Sequence, residues 1–157
     1  MIKNNLLMVS QEGVTKEFSI SSLQLNINGN DSWTKFENNS IASYRTCFFR
    51  IVEQNKNIKY FILNNVFIKN NDNIIEITYN DRFHWYFQDQ KIFANEKNLI
   101  NKYQKISKEK SELKALDSLN LSSYNRTEID QLNKEYNKLK LQIDFSLVEG
   151  GQKNEEK

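Results

Sequence analysis

The run FHWYFQDQKIFANEKNLINKYQKI, residues 83–106, contains the change of period that decides the fold. Before Ala94, aromatic and β-branched residues come in short alternating runs; after it, Leu, Ile and Tyr recur every three or four positions. The first period belongs to strands and the second to helices, so the chain reads as a sheet followed by paired helices. The expected class is α+β: an N-terminal antiparallel β-meander or small barrel of about five strands, then a C-terminal two-helix hairpin. The boundaries fall at 1–93 for the sheet region, 94–148 for the hairpin, packed on the sheet or on a partner, and 149–157 for a disordered tail, all within a single domain.

Upstream of the decisive run, Ile74 to Tyr79 and Phe83 to Gln88 form two closely spaced apolar stretches. A three-residue loop, Asn80-Asp81-Arg82, would pair Tyr79 with Phe83, Ile77 with Trp85 and Ile75 with Phe87, collecting six apolar residues on one face. The opposite face would then carry Glu76, Thr78, His84, Tyr86 and Gln88, exposed as in a half-buried antiparallel sheet. Further strands are expected over Val14 to Ile27, with a bulge near Ser21-Ser22 where the apolar parity switches, over Tyr44 to Val52, and over Ile58 to Ile68 with a break at Asn64-Asn65. Asn28-Gly29-Asn30-Asp31 is the clearest turn, and Gln54 to Asn57 and Lys69 to Asn73 read as loops. Met1 to Val9 is an apolar run too short for a signal-peptide core, and no run long enough for a transmembrane helix is present.

Downstream, Asn95 is placed to cap a helix with Leu99, Tyr103, Ile106, Leu113 and Leu116 on or near one face. After an interruption at Leu119 to Asn125, Thr127-Glu128-Ile129-Asp130 has the form of a capping box. Ile129, Leu132, Tyr136, Leu139 and Ile143 then follow at heptad spacing. Two heptads are too short for an autonomous coiled coil, so this seam should pack on the preceding helix, on the sheet, or on a second copy in a homodimer.

Composition sets the outer limits. A chain of 157 residues closes one hydrophobic core, and a net charge of +2 gives no strongly basic or acidic surface. Asn, Lys and Ile are abundant and proline is absent, the bias of an AT-rich genome; turns must come from Asn, Asp and four glycines. One cysteine and one histidine exclude a disulfide and a Cys/His zinc site, and point to a reducing, cytoplasmic setting without cofactor or metal. The element order, a sheet of about five strands closed by a C-terminal helix, resembles the pleckstrin-homology-like superfold, over Ile74 to Ile106 in particular. Such barrels host many unrelated partners, so the resemblance implies a fold and no specific ligand.

No catalytic constellation stands out. His84 in its aromatic strand and Cys47 between Thr46 and Phe48 could form a hydrolytic dyad, but neither has a local signature, and a strand Cys ordinarily serves as a small buried hydrophobe. The expectation is therefore a non-enzymatic protein-binding module, with His84, Tyr86, Glu76 and Trp33 as partner-contacting residues. A phage or mobile-element accessory protein that inhibits a host nuclease or defence complex is one specific form. The alternative is a nucleic-acid-binding module using exposed aromatics and Lys97, Lys102, Lys105 and Lys108.

Overall fold

The computed structural model describes residues 4–119 and 126–150. Two compact units emerge, one spanning Met1–Phe87 with Glu149–Lys157 and the other Gln88–Val148. The fold is α+β, a small N-terminal barrel followed in sequence by helices.

Five strands close the barrel: β1 (Asn4–Ser10), β2 (Thr15–Asn26), β4 (Ser40–Glu53), β5 (Ile58–Asn71) and β6 (Ile74–Tyr79), with the two-residue β3 (Thr34–Lys35) beside β2. Each neighbouring pair in this meander is antiparallel, while β6 returns to β1 in parallel, Leu6 opposite Ile75 and Met8 opposite Ile77. The parallel pair is a geometric necessity, because in an up-and-down ring of five the first and last strands point the same way. Closure pairs every barrel edge. The N-terminal apolar run is thus the closing strand, and the expectation of a wholly antiparallel sheet is corrected at this one seam. Closure through paired strands also differs from the helical closure that the pleckstrin-homology-like resemblance implied.

Alternation decides what lies inside. Leu6 and Met8 of β1, Ile20, Leu23 and Leu25 of β2, Cys47, Phe49 and Ile51 of β4, and Phe61 and Leu63 of β5 fill the core. The Phe49 and Phe61 rings stack with centroids 4.9 Å apart. The parity switch in β2 is the expected bulge: register shifts between Ile20 and Ser22, and Ser21 Oγ donates to the Val52 carbonyl.

The expected hairpin of Ile74–Tyr79 with Phe83–Gln88 does not form. β6 pairs with β5 and β1, while β7 (Tyr86–Gln88) pairs with the other end of β5, Tyr60 opposite Tyr86. Asn65, with φ of 50°, divides β5 between these two partners without shifting its register to β4. The loop read at Lys69 to Asn73 contracts to two residues, Asp72 and Asn73, both left-handed, between the paired Asn71 and Ile74. That is the geometry of a type I′ hairpin turn. Asn39 and Asn65 are also left-handed, so Asn and Asp do fill conformations that glycine usually supplies.

In the second unit, α1 (Gln90–Phe93) is capped by Asp89, whose Oδ1 accepts from the Ile92 amide at 2.9 Å. α2 (Lys97–Ser118) begins after Glu96, so Asn95 is not its cap. α3 (Arg126–Asp144) already includes Thr127 in its first turn, which therefore does not cap it either. Leu119 borders residues 120–125, and the expected interruption there lies outside the described residues. α2 and α3 pack together: the Tyr103 and Tyr136 rings stack at 5.4 Å, their hydroxyls 3.3 Å apart, and Lys110 Nζ lies 4.0 Å from the Tyr136 ring. Leu139 is buried and Ile129, Leu132, Tyr136 and Ile143 are half-buried, so the heptad seam faces inward. Leu116, at 38% exposure, has rotated off the α2 face that buries Ile106 and Leu113. The hairpin stops at Asp144, and Leu147–Glu149 forms β8, so the helical reading to 148 and the tail reading from 149 both shift. The remainder of that tail, from Gly151, lies outside the described residues.

Gly150 is required by close approach. Its N–H donates to the Trp85 carbonyl at 2.9 Å, and a Cβ there would land 2.5 Å from the Trp85 ring.

Candidate functional site

The turn after β2 builds the most distinctive surface of the barrel. Asn26 accepts from the Gly29 amide at 2.8 Å and donates to the Asn30 carbonyl at 2.6 Å, while Gly29 takes φ of 76°. This clamp folds the chain back so that Trp33 lies on the outer face of the sheet. Its indole meets Phe48 edge-on at 5.1 Å and Tyr60 at 5.7 Å, and its N–H donates to Asp31 at 3.0 Å.

Beneath Trp33, strand pairing lines up Lys35, Gln24, Arg50, Tyr60 and Tyr86 across β3, β2, β4, β5 and β7. The Arg50 guanidinium is 4.2 Å from the centroid of the Trp33 ring, and its Nε donates to Gln24 Oε1 at 2.7 Å. Gln24 in turn donates to Ser22 Oγ at 3.4 Å. The ring contact and the Nε bond together restrain the guanidinium. Among the described residues neither Arg50 nor Lys35 has a carboxylate partner, whereas Lys59 pairs with Glu53 at 2.9 Å.

The expected partner-contacting residues fare unequally. Trp33 is half-exposed in this patch, and Glu76 is exposed on the far side of the barrel, opposite Lys69 and Leu7. His84 and Tyr86 are 7% and 2% exposed, which corrects their assignment to an open face. Parity put Tyr86 and Trp85 on opposite sides correctly, and Trp85 does pack against the core. The outer face of β4 and β5 is also covered, however, burying Phe48, Tyr60, Ile62 and Tyr86. The Tyr86 hydroxyl is pushed strongly up by that burial, with Glu149 and Asp81 adding to it and Arg82 opposing it.

His84 Nδ1 lies 2.9 Å from the Arg82 carbonyl, which can only accept, so Nδ1 donates, while the buried Nε2 has no hydrogen-bond partner among the described residues. Cys47 points into the barrel core, where burial raises its thiol to about 12. A thiol so held stays protonated, and it does not meet His84, which lies outside that core cluster. No group of three or more His, Cys, Asp or Glu among the described residues could hold a metal ion.

Lys97, Lys102, Lys105 and Lys108 are all exposed on α2. Glu109 and Glu112 follow Lys105 and Lys108 at four-residue spacing, on the same side of the helix, and dilute the positive field. Sequence reading passed over Arg50 and Gln24. Their only signal was the alternation that places both outside a barrel whose strand order was unknown.

No helix among the described residues is long and apolar enough to cross a membrane. The family described as UU051 N-terminal domain matches residues 5–84, a span that contains all five barrel strands from Asn5 onward and stops before β7. A protein of Ureaplasma parvum serovar 3, named "Uncharacterized protein UU051", is 31% identical over 139 residues, covering 85% of this chain and 82% of its own length. With the barrel matched as a domain and 85% of the chain aligned with the relative, the chain belongs to the UU051 family.

Proposed function

We propose that this protein is a non-enzymatic protein-binding module whose anchor is the patch of Trp33 and Arg50, seated on the buried Phe48 and Tyr60 rings. The observation that carries the reading is the half-exposed Trp33, held from three directions by Asp31, Arg50 and the Phe48–Tyr60 pair. Trp, Tyr and Arg dominate binding hot spots, and a side chain already ordered before binding loses little entropy on docking. A cytoplasmic setting fits the single protonated Cys47. The relative is a bacterial protein, and its name lends no support to the more specific form, a phage inhibitor of a host nuclease.

Nucleic acid is the weaker reading. Arg50 already occupies a face of the Trp33 ring, and Glu109 and Glu112 lie one turn beyond Lys105 and Lys108. A phosphate track needs cations in succession. The test is capture from an extract of the source cells, treated with nuclease, using the full chain and its Trp33→Ala variant. A specific protein partner retained by the parent and weakened by about 2 kcal/mol or more in the variant is the expected result. Recovery that disappears with nuclease, or that ignores Trp33→Ala, overturns the proposal.

A further inference from the structure

We infer that Arg50 and Lys35 form an oxyanion-receiving site on the barrel surface, and that its occupant is a carboxylate side chain of the protein partner. This inference rests on the protein-binding reading and names the chemistry of the group received.

Two cations flank Gln24 on adjacent strands, facing the same side, and neither has a carboxylate partner among the described residues. Unpaired surface lysines are commonplace, but Arg50 is not free to wander. The Trp33 ring lies against it, 4.2 Å from guanidinium carbon to ring centroid, and Gln24 holds its Nε at 2.7 Å. What remains is the pair of terminal nitrogens, an edge whose N–H groups match the two oxygens of a carboxylate. Because the guanidinium is restrained beforehand, little side-chain entropy is lost when an anion docks. Lys35, about two strand spacings away (roughly 10 Å between backbones), has the reach to add a second charge-assisted bond.

The same fork would accept a phosphate. The surroundings favour a carboxylate on a protein: the half-exposed Trp33 ring offers apolar surface beside the guanidinium. A nucleic-acid backbone would need further unpaired cations in line.

Benzoate and phenyl phosphate make a matched pair of probes, since both present the same ring with different oxyanions. Each is titrated into the ¹⁵N-labelled full chain at constant ionic strength, following the Trp33 indole N–H and the Arg50 Nε–H, with benzyl alcohol as the neutral control. Benzoate should move both resonances along one saturating curve, and Arg50→Gln should weaken it about tenfold or more, as loss of a charge-assisted pair does. Arg50→Lys, which keeps the charge but loses the fork, should weaken benzoate nearly as much, with melting temperatures confirming that both variants fold. Three results would overturn the site: no saturation, an equal response to benzyl alcohol, or full retention in Arg50→Lys. Phenyl phosphate binding tenfold more tightly than benzoate would overturn the carboxylate assignment. The two readings fail separately. A partner captured through Trp33 while benzoate never saturates removes only the oxyanion site, and saturable benzoate without a partner keeps the site but overturns the protein-binding function and, with it, the partner's carboxylate as occupant.

Discussion

The barrel and the helical hairpin are stabilised in different ways. In the barrel, Phe49, Phe61, Ile51, Leu63, Ile68 and Ile77 are fully enclosed, and the ring of strands pairs its own edges. In the hairpin, burial is confined to a narrow seam, and most seam residues stay half-exposed. Barrel stability is therefore collective, resting on contacts far apart in sequence, whereas the hairpin relies on contacts between two adjacent helices. A core defect should spread through the first unit; a seam defect should stay local.

The largest expected effect tests the collective half. Phe61→Ala removes a fully buried ring stacked on Phe49 and should cost about 3–5 kcal/mol, read as a lower denaturant midpoint with exchange protection lost across all five barrel strands. Loss confined to β5 would break the comparison.

A smaller effect probes the local half. Leu132 is half-buried and lines a groove of about 390 Å³ with Glu109, Glu128 and Glu135. Leu132→Asp adds a fourth carboxylate to that apolar step and should cost about 1–3 kcal/mol. Amide exchange should rise in α2 and α3 while barrel protection holds; equal loss in both units would mean that they unfold as one.

The smallest effect sharpens the contrast through pH. Burial raises the Cys47 thiol from 9.0 to about 12, so the folded protein holds that proton where the unfolded chain releases it. The resulting stability is fully present below about pH 9 and is lost as pH rises toward 12. Buried Tyr79 and Tyr86, both raised, act in the same direction. Denaturation between pH 8 and about 11 should show a decline that Cys47→Ala reduces, and thiol reagents should leave folded Cys47 unmodified at neutral pH. A flat profile would mean that the thiol is not enclosed.

Local chemistry was legible wherever neighbours in sequence are neighbours in space. The parity switch at Ser21-Ser22, the turn at Asn28 to Asp31 and the loop at Gln54 to Asn57 form as their residues predict. The two helices and the inward seam from Ile129 to Ile143 also follow from period alone. Cap positions were less secure, because Asn95, Glu96 and Asp89 compete within one short stretch and only backbone geometry chooses among them.

What the sequence by itself determined is which residues alternate, where the period changes and where the chain can turn, since these depend on sterics and burial over a few residues. Tertiary structure alone decided that Asn4–Ser10 closes the ring beside β6, that β5 serves β6 at one end and β7 at the other, and that Arg50 lies between Gln24 and Tyr60. Alternation says that two residues face opposite ways, but it cannot say which strand lies alongside or whether the outer side is covered too. Tyr86 is buried on the face where parity predicted exposure, and Trp33 and Arg50 meet only because the Asn26 clamp returns the chain across the sheet.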